Sequence, residues 1–563
     1  MAKMVSRRKF LKVSAGVAAS ASLWGVSCGW FADFDLIIVG GLVLDGSGRA
    51  GEVQDVGIRG GRITAIGDLK DRSARRKIDA AGLAVAPGFI DFHSHSDDEL
   101  LLGGAAQSKI RQGVTTEVLG QDGGSMAPLN REMRESRHER LHKNYGLESD
   151  WEDFAGYFDF LEKSGMISNA LSMVGQGTLR ECVVGEDDRP ASAEEIARMQ
   201  QLAREAFAQG AYGISSGLEY TPGSFADTAE IIEICGAMDG QGIYSTHMRN
   251  EDDTVIEALQ EAIDIARGAG VALNVSHLKA SARRNWHKLP EILALLDAAR
   301  EGGMAVTCDR YPYIAYNTGL SSLFPLWSRD GGREKFVARL QDGSLRDSLM
   351  AEVLAKVEKI GGWGSVMISG VPRNPERKKY EGKTIAELAG SDRDPFALLM
   401  ELITTEEGGG GMVGFAMSEE NTAALLAYPY CMTASDGSAL AAEGPLRSGN
   451  PHPRAFGTFP RLLGKYVREE GLMPLEEAVR KITALPAQTL GLVDRGLLRE
   501  GYWADVTLFD PTRVRDRATW GEPHQYPEGI PYVIVNGEVV IDQDNFSGRL
   551  AGKALRMGKA QRA

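Results

Sequence analysis

The long middle of this chain alternates between two kinds of segment, and that alternation restricts the fold more than any other feature. Short apolar stretches at 115–119, 170–174, 213–216, 243–246, 272–276 and 305–308 are separated by amphipathic runs such as 193–209 and 254–267. Apolar residues recurring three and four apart mark one face of a helix, and short apolar runs bounded by glycine mark buried strands. Strand and helix repeated over this length predict a parallel sheet in an α/β protein. The rhythm favours a closed (β/α)8 TIM-like barrel over an open doubly wound sheet. No Gly-x-Gly-x-x-Gly unit followed by an acidic residue supports a dinucleotide site.

The flanks read differently. Segments 36–44, 56–66 and 77–85 alternate apolar and polar residues and are punctuated by Gly40-Gly41, Asp45-Gly46 and Gly60-Gly61, which is the pattern of hairpins. A similar composition returns at 504–510 and 531–540. One small β-sandwich built from both ends of the chain, 31–86 and 486–550, is expected around a barrel at 87–485, with a tail at 551–563. Residues 320–427 break the rhythm. They read as an insertion with its own helices and a strand near 366–369, placed before the last barrel strand as a candidate lid.

Ser6-Arg7-Arg8-Lys9-Phe10-Leu11-Lys12 precedes a short, weakly apolar run at 13–26. That order resembles a twin-arginine export signal over residues 1–30, so the export machinery is an expected partner and the cell envelope or periplasm the expected location. Cys28 is a candidate lipid-anchor cysteine. The apolar run falls short of the about 20 residues a membrane span needs. The five cysteines are widely spaced with no Cys-x-x-Cys pair, so Cys182, Cys235, Cys308 and Cys431 are expected as buried free thiols. A net charge of -14 with no basic stripe argues against nucleic acid as a partner.

Chemistry concentrates where the first barrel strand is expected to end, at Pro87-Gly88-Phe89-Ile90-Asp91-Phe92-His93-Ser94-His95. In extended backbone, alternate residues point to the same side, so His93 and His95 can meet one ion. Imidazole suits zinc and similar divalent metals. A His-rich strand end alone would mean little, but strand-like segments further on end in Glu117, His247, His277 and Asp436. In a barrel the C-terminal strand ends converge on one face, so these six residues are candidate metal ligands.

These residues resemble the amidohydrolase superfamily, and within it the N-acyl-D-amino-acid deacylase (D-aminoacylase) branch. The resemblance rests on Gly88 to His95, on Ser216-Gly217-Leu218-Glu219-Tyr220-Thr221-Pro222-Gly223, on Thr246-His247-Met248-Arg249-Asn250-Glu251, on Ser276-His277-Leu278-Lys279, on Tyr311-Pro312-Tyr313, on Ser435-Asp436-Gly437, and most specifically on His452-Pro453-Arg454-Ala455-Phe456-Gly457-Thr458-Phe459-Pro460. It implies metal-dependent hydrolysis of a linear amide in an N-acyl-D-amino acid or a D-configured dipeptide-like substrate. The cofactor it implies is a divalent metal, zinc first, one or two ions per chain. One ion is expected on His247, His277 and Glu117, the other on His93, His95, Glu117 and Asp436. Where that family usually has a bridging cysteine, this chain is expected to use Glu117, followed by Gly120-Gln121-Asp122-Gly123; a carboxylate admits harder metals than a thiolate does. Asp436 is the expected proton carrier. Lys279, Tyr311 and Arg454 match family positions that hold the substrate's α-carboxylate, and Asn317 stands where a serine is common. Competing readings are a cyclic-amide hydrolase of the dihydroorotase or hydantoinase kind, which commonly bridges its metals with a carboxylated lysine, and a non-catalytic binding barrel, whose mark would be a missing ligand.

Overall fold

The computed structural model describes residues 32–371, 375–405 and 410–558. The expected export segment at 1–30, with Cys28, lies outside them. Strands from both ends of the chain form one nine-stranded sheet, in the order Asn545–Phe546, Glu538–Asp542, Tyr532–Val535, Val506–Phe509, Ala84–Pro87, Phe34–Val43, Glu52–Arg59 and Arg62–Gly67, with Ala74–Asp79 also paired to Phe34–Val43. The Gly60-Gly61 turn joins Glu52–Arg59 to Arg62–Gly67 with both glycines at positive φ, 58° and 78°. Only glycine enters that geometry without strain, and it matches the twist of the two strands. At Gly40, also at positive φ, the register of Phe34–Val43 shifts; before it the strand pairs with Ala74–Asp79, and after it with Ala84–Pro87. The expected coming-together of the two chain ends is therefore realised as a single hydrogen-bonded sheet.

The middle of the chain supplies parallel strands. One sheet runs Cys431–Thr433, Val306–Arg310, Ala272–Val275, Ile243–His247, Gly213–Gly217, Val174–Gly175, and a second runs Phe89–Asp91, Val114–Leu119, Asn169–Ser172. The two are stitched together twice. Tyr212 N donates to Ser172 O at 3.0 Å on one side, and a parallel bridge joins Ser94 to Gly437 on the other. Nearly every residue of these strands is buried, polar ones such as Thr116, Ser215 and Asn274 included, because helices cover the sheets. Helix Ala193–Gln209 shows the sequence logic: Ser192 and Glu195 close a reciprocal capping box at its start, and Gly210 ends it in the left-handed region. Its Met199, Leu202, Ala203 and Ala206 face the main core.

The interruption is a unit with its own core. Tyr316–Gly319, Gly411–Gly414 and Val366–Gly370 form a small antiparallel sheet, backed by Leu349, Val353, Phe396 and Leu399 from neighbouring helices. It begins earlier than the expected boundary at 320, because Tyr316–Gly319 already belongs to its sheet. It also ends earlier than 427: helix Glu419–Ala427 sends Leu425 and Leu426 into the main core. Cys182, Cys235, Cys308 and Cys431 are all free thiols; Cys182 is half-buried and the other three are buried. Among the described residues no helix is long and apolar enough to cross a membrane.

Candidate metal centre

Each histidine of the cluster arrives from a strand end. Phe89–Asp91 runs into His93 and His95, Ile243–His247 ends on its histidine, and His277 and Asp436 follow the strands Ala272–Val275 and Cys431–Thr433 in the turns beyond them. His277 and Asp436 both have positive φ, 34° and 50°, a conformation that costs a non-glycine residue about 1–3 kcal/mol and collects at functional sites. The turns re-aim these side chains toward the shared face.

Five of the six expected ligands meet, and the sixth position is filled by a residue the strand pattern did not single out. His93, His95, Asp122 and Asp436 form one group, and Asp122, His247 and His277 a second; within each, the potential ligand atoms all lie within 4.8 Å of one another. Asp122 is common to both. Its Oδ1 is 3.4 Å from His93 Nε2, and its Oδ2 lies 3.5 Å from His95 Nε2, 3.4 Å from His277 Nε2 and 3.8 Å from His247 Nδ1. Asp436 Oδ1 stands 3.0 Å from His95 Nε2 and 3.7 Å from His93 Nε2.

Glu117 is not in the cluster. It sits inside Val114–Leu119, in register with Asp91, and its carboxylate accepts hydrogen bonds from Ser94 at 2.9 Å, Ser96 at 2.6 Å and Ser168 at 2.8 Å. The physical reason is register: the strand continues past Glu117 to Leu119, and the acid that reaches the shared face lies in the following turn, Gly120-Gln121-Asp122-Gly123, where Gly120, Asp122 and Gly123 all have positive φ. The glycine-flanked aspartate was the signal in the sequence.

The donor set fits a divalent cation. Both ring nitrogens of His93, Nε2 of His247 and Oδ1 of Asp122 are buried without a hydrogen-bond partner, an arrangement proteins otherwise avoid. The electrostatics also favour positive charge. Burial opposes a proton on His95 and on His247, yet the carboxylates of Asp122 and Asp436 push His95 up to about 9, and those of Glu251, Asp122 and Glu219 push His247 up to about 10. Burial likewise opposes ionisation of Asp122, but the neighbouring His93 and His277 hold its carboxyl well below the ordinary range. Outer carboxylates orient the rings: Asp309 Oδ1 lies 3.4 Å from His93 Nδ1 and accepts the His277 backbone N–H at 2.8 Å, and Glu251 Oε1 lies 3.0 Å from His277 Nδ1.

A cavity of about 440 Å³ opens over the cluster, in the size range of small-molecule sites. Lys279, Tyr311 and Arg454 all line it, with Asn317, Thr318 and Lys356 contributed by the inserted unit. The Lys279 ammonium donates to Glu251 at 2.6 Å. The Arg454 guanidinium donates to Asp436 Oδ2 at 2.6 Å and lies over the Tyr311 ring at 4.8 Å, with Arg310 over the same ring at 4.4 Å. Tyr311 Oη and Asn317 Oδ1 are buried without a partner. Arg454 also governs Asp436: burial pushes that carboxyl up, and the guanidinium, with His277 and His95, holds it well below the ordinary range. Asp122, Glu251, Asp309 and Lys356 are the site residues to which the sequence pattern gave no role.

The amidohydrolase family model matches residues 76–313 and 439–541. A D-aminoacylase of Alcaligenes xylosoxydans xylosoxydans is 38% identical over 93% of this chain and 97% of its own length, and an N-acyl-D-glutamate deacylase of the same organism is 36% identical over 93% and 96%. Among solved structures, a D-aminoacylase described as defining a novel subset of amidohydrolases superposes with a TM-score of 0.77 at 36% identity, covering 93% of this chain and all of that one. An N-acyl-D-glutamate deacylase of Bordetella bronchiseptica, complexed with zinc and a phosphonate mimic of the tetrahedral intermediate, gives 0.77 at 34% identity, covering 93% and 99%.

Proposed function

The chain belongs to the amidohydrolase family, and from that premise we propose that it hydrolyses the amide bond of N-acyl-D-amino acids at the cluster of His93, His95, Asp122, His247, His277 and Asp436. The observation that carries the reading is the cluster itself: imidazole nitrogens and aspartate oxygens, several buried and unpartnered, beside a cavity whose wall offers Lys279, Tyr311 and Arg454. Three relatives that cover 93–94% of this chain are a D-aminoacylase, an N-acyl-D-glutamate deacylase and an N-acyl-D-aspartate deacylase. A divalent ion held by these residues, with zinc the first choice, supplies Lewis acidity toward an amide carbonyl and acidifies a water. Asp122, within reach of all four histidines, is the group able to serve two ion positions, the role expected of Glu117.

The remaining steps belong to side chains. Asp436, kept ionised by Arg454, accepts a proton from the attacking water and returns it to the leaving amine, giving a carboxylate and a free D-amino acid. Lys279, Arg454 and the unpartnered Tyr311 hydroxyl hold the α-carboxylate and so fix which end of the substrate faces the cluster. The parallel strands are read as one closed (β/α)8 barrel beside a β-sandwich, with the cluster at its C-terminal face and the inserted unit over the mouth. Export along the twin-arginine route, supported by Arg7-Arg8 and the apolar run after them, places the reaction in the cell envelope.

The test is turnover of N-acetyl-D-amino acids, their L enantiomers and dihydroorotate by metal-loaded protein, alongside Asp436→Asn. Cleavage of the D series, lost in Asp436→Asn, is expected. Turnover of the cyclic substrate alone would overturn the deacylase reading, and wild-type rates in Asp436→Asn would remove Asp436 as the proton carrier.

A further inference from the structure

Beneath the cluster lies a buried cation that no step of the reaction above uses. Lys109, in the short helix Gln107–Ile110, is fully buried, and its ammonium donates to Asp91 Oδ2 at 2.5 Å, to the Gly437 carbonyl at 2.7 Å, to Ser94 Oγ at 3.4 Å and to Ser435 Oγ. An ammonium survives in such a place only when it is paired and fully hydrogen-bonded. Every acceptor here belongs to one of two segments. Asp91 and Ser94 flank His93, and Ser435 and Gly437 flank Asp436.

Those two segments deliver ligands to the cluster from opposite ends of the sheet order, and the lysine sits at their seam. Asp91 reinforces it, with Oδ1 accepting Ser435 N at 2.8 Å and Oδ2 accepting Ser435 Oγ at 2.6 Å. Asp436, held at φ +50°, is tied down on either side: its N–H donates to His93 O at 2.8 Å, and the Gly437 carbonyl accepts from His95 N at 3.1 Å as well as from Lys109. Ser94 passes the network on to Glu117, whose carboxylate accepts from the Ser94 hydroxyl at 2.9 Å. A lysine that merely filled space would have no reason to bond both segments.

We propose that Lys109 is a positioning residue for Asp436: its buried ammonium clamps the Gly437 carbonyl to the His93-Ser94-His95 segment and fixes the left-handed backbone from which the Asp436 carboxylate reaches the cluster. The inference rests on the reading of Asp436 as a ligand and proton carrier. Lys109 touches neither substrate nor ion, so its removal acts through the aim of that carboxylate.

The test is Lys109→Met in the full chain, with metal content measured, kcat and KM determined on an N-acetyl-D-amino acid, and the visible absorption spectrum recorded after loading with cobalt(II). Misaiming a catalytic group by about 1 Å can cost about 100-fold, and a fall of that order in kcat per metal-loaded chain is expected. KM should stay within about threefold, because the α-carboxylate contacts are untouched. The cobalt spectrum should change with the ligand field. A folded, metal-loaded Lys109→Met with kcat within about threefold of wild type and an unaltered cobalt spectrum overturns the proposal, whatever its melting temperature. Should Lys109→Met fail to fold, Ser435→Ala decides, since it keeps every charge and removes only the hydroxyl that links Lys109, Asp91 and the Gly437 N–H: lowered kcat at constant KM with a shifted spectrum supports the clamp, and unchanged values overturn it. An inactive wild type would instead refute the deacylase reading, and the cobalt spectra would still report on the clamp.

Discussion

Replacing Tyr311 by phenylalanine should make the protein more stable and the enzyme worse. The Tyr311 hydroxyl is fully buried, lines the cavity and has no hydrogen-bond partner. A buried, unsatisfied hydroxyl costs about 1–3 kcal/mol relative to an apolar group of the same shape, so its deletion should return a gain of that order. The ring itself is kept, along with its contacts to the Arg310 and Arg454 guanidinium groups. On the proposed function the same hydroxyl would donate to the substrate's carboxylate, a bond worth about 1.5–3 kcal/mol, so kcat/KM should fall by about 10- to 150-fold. Urea unfolding of the metal-loaded protein should show a higher midpoint at unchanged m-value, which isolates stability from compactness. Rates should be measured on an N-acetyl-D-amino acid and on the matching substrate with its α-carboxylate converted to a neutral amide. The penalty should shrink to near unity on the amide. A lower midpoint, or an equal penalty on both substrates, would refute the assignment of the hydroxyl to the carboxylate.

Other consequences can be checked separately. Asp122→Asn should lower metal affinity by more than about 100-fold, whereas Glu117→Gln, which disturbs only hydroxyls behind the ligands, should cost about 10-fold or less, as measured by competition against a chromophoric chelator. Metal binding should tighten with pH: His247 in the metal-free protein is pushed up to about 10, so its proton must leave for an ion to bind. Each displaced proton gives one decade of apparent affinity per pH unit below the value at which it leaves, so His247 alone contributes about 100-fold between pH 7 and pH 9, His95, pushed up to about 9, adds to it, and a flat profile would contradict this. Linkage gives the matching stability sign: with its folded pKa raised, His247 contributes stability that is full below about 6.5 and lost as pH rises through about 10, so the melting temperature of the metal-free protein should decline over that window while the loaded protein changes less. Arg454→Met should raise KM and also shift the acid limb of the kcat profile upward, because the guanidinium is the main group holding the Asp436 carboxyl low.

How much of this could be read from the sequence follows the backbone. His93, His95, His247, His277 and Asp436 were legible because each sits at or just beyond the end of an apolar strand, where period-two alternation and convergence apply. Glu117 failed by the same rule. The apolar run hides where the strand stops, and a carboxylate two residues short of that end faces serines behind the ligands. Asp122 reaches the shared face only through a turn in the left-handed region, and turn geometry leaves no periodic trace beyond its glycines. Lys109 was invisible for a different reason: a lysine in a short helix reads as surface, and nothing local announces that Asp91, Ser435 and Gly437 will surround it. The boundary of the inserted unit shifted because Tyr316–Gly319 pairs with Gly411–Gly414, a partner fixed by tertiary contact.

The sheet that joins the two ends of the chain also sets an order of events in biosynthesis. Ala84–Pro87, the strand just before the His93 segment, pairs on one side with Val506–Phe509, and Arg62 bonds Asp494 across 432 residues. Closing a loop of that length costs about 5 kcal/mol in chain entropy, recovered only when the partner strand exists. A ribosome must therefore finish nearly the whole polypeptide before Ala84–Pro87, already paired with Phe34–Val43, gains its second neighbour. A nascent chain released early would carry His93 and His95 just beyond a strand that still lacks its Val506–Phe509 partner.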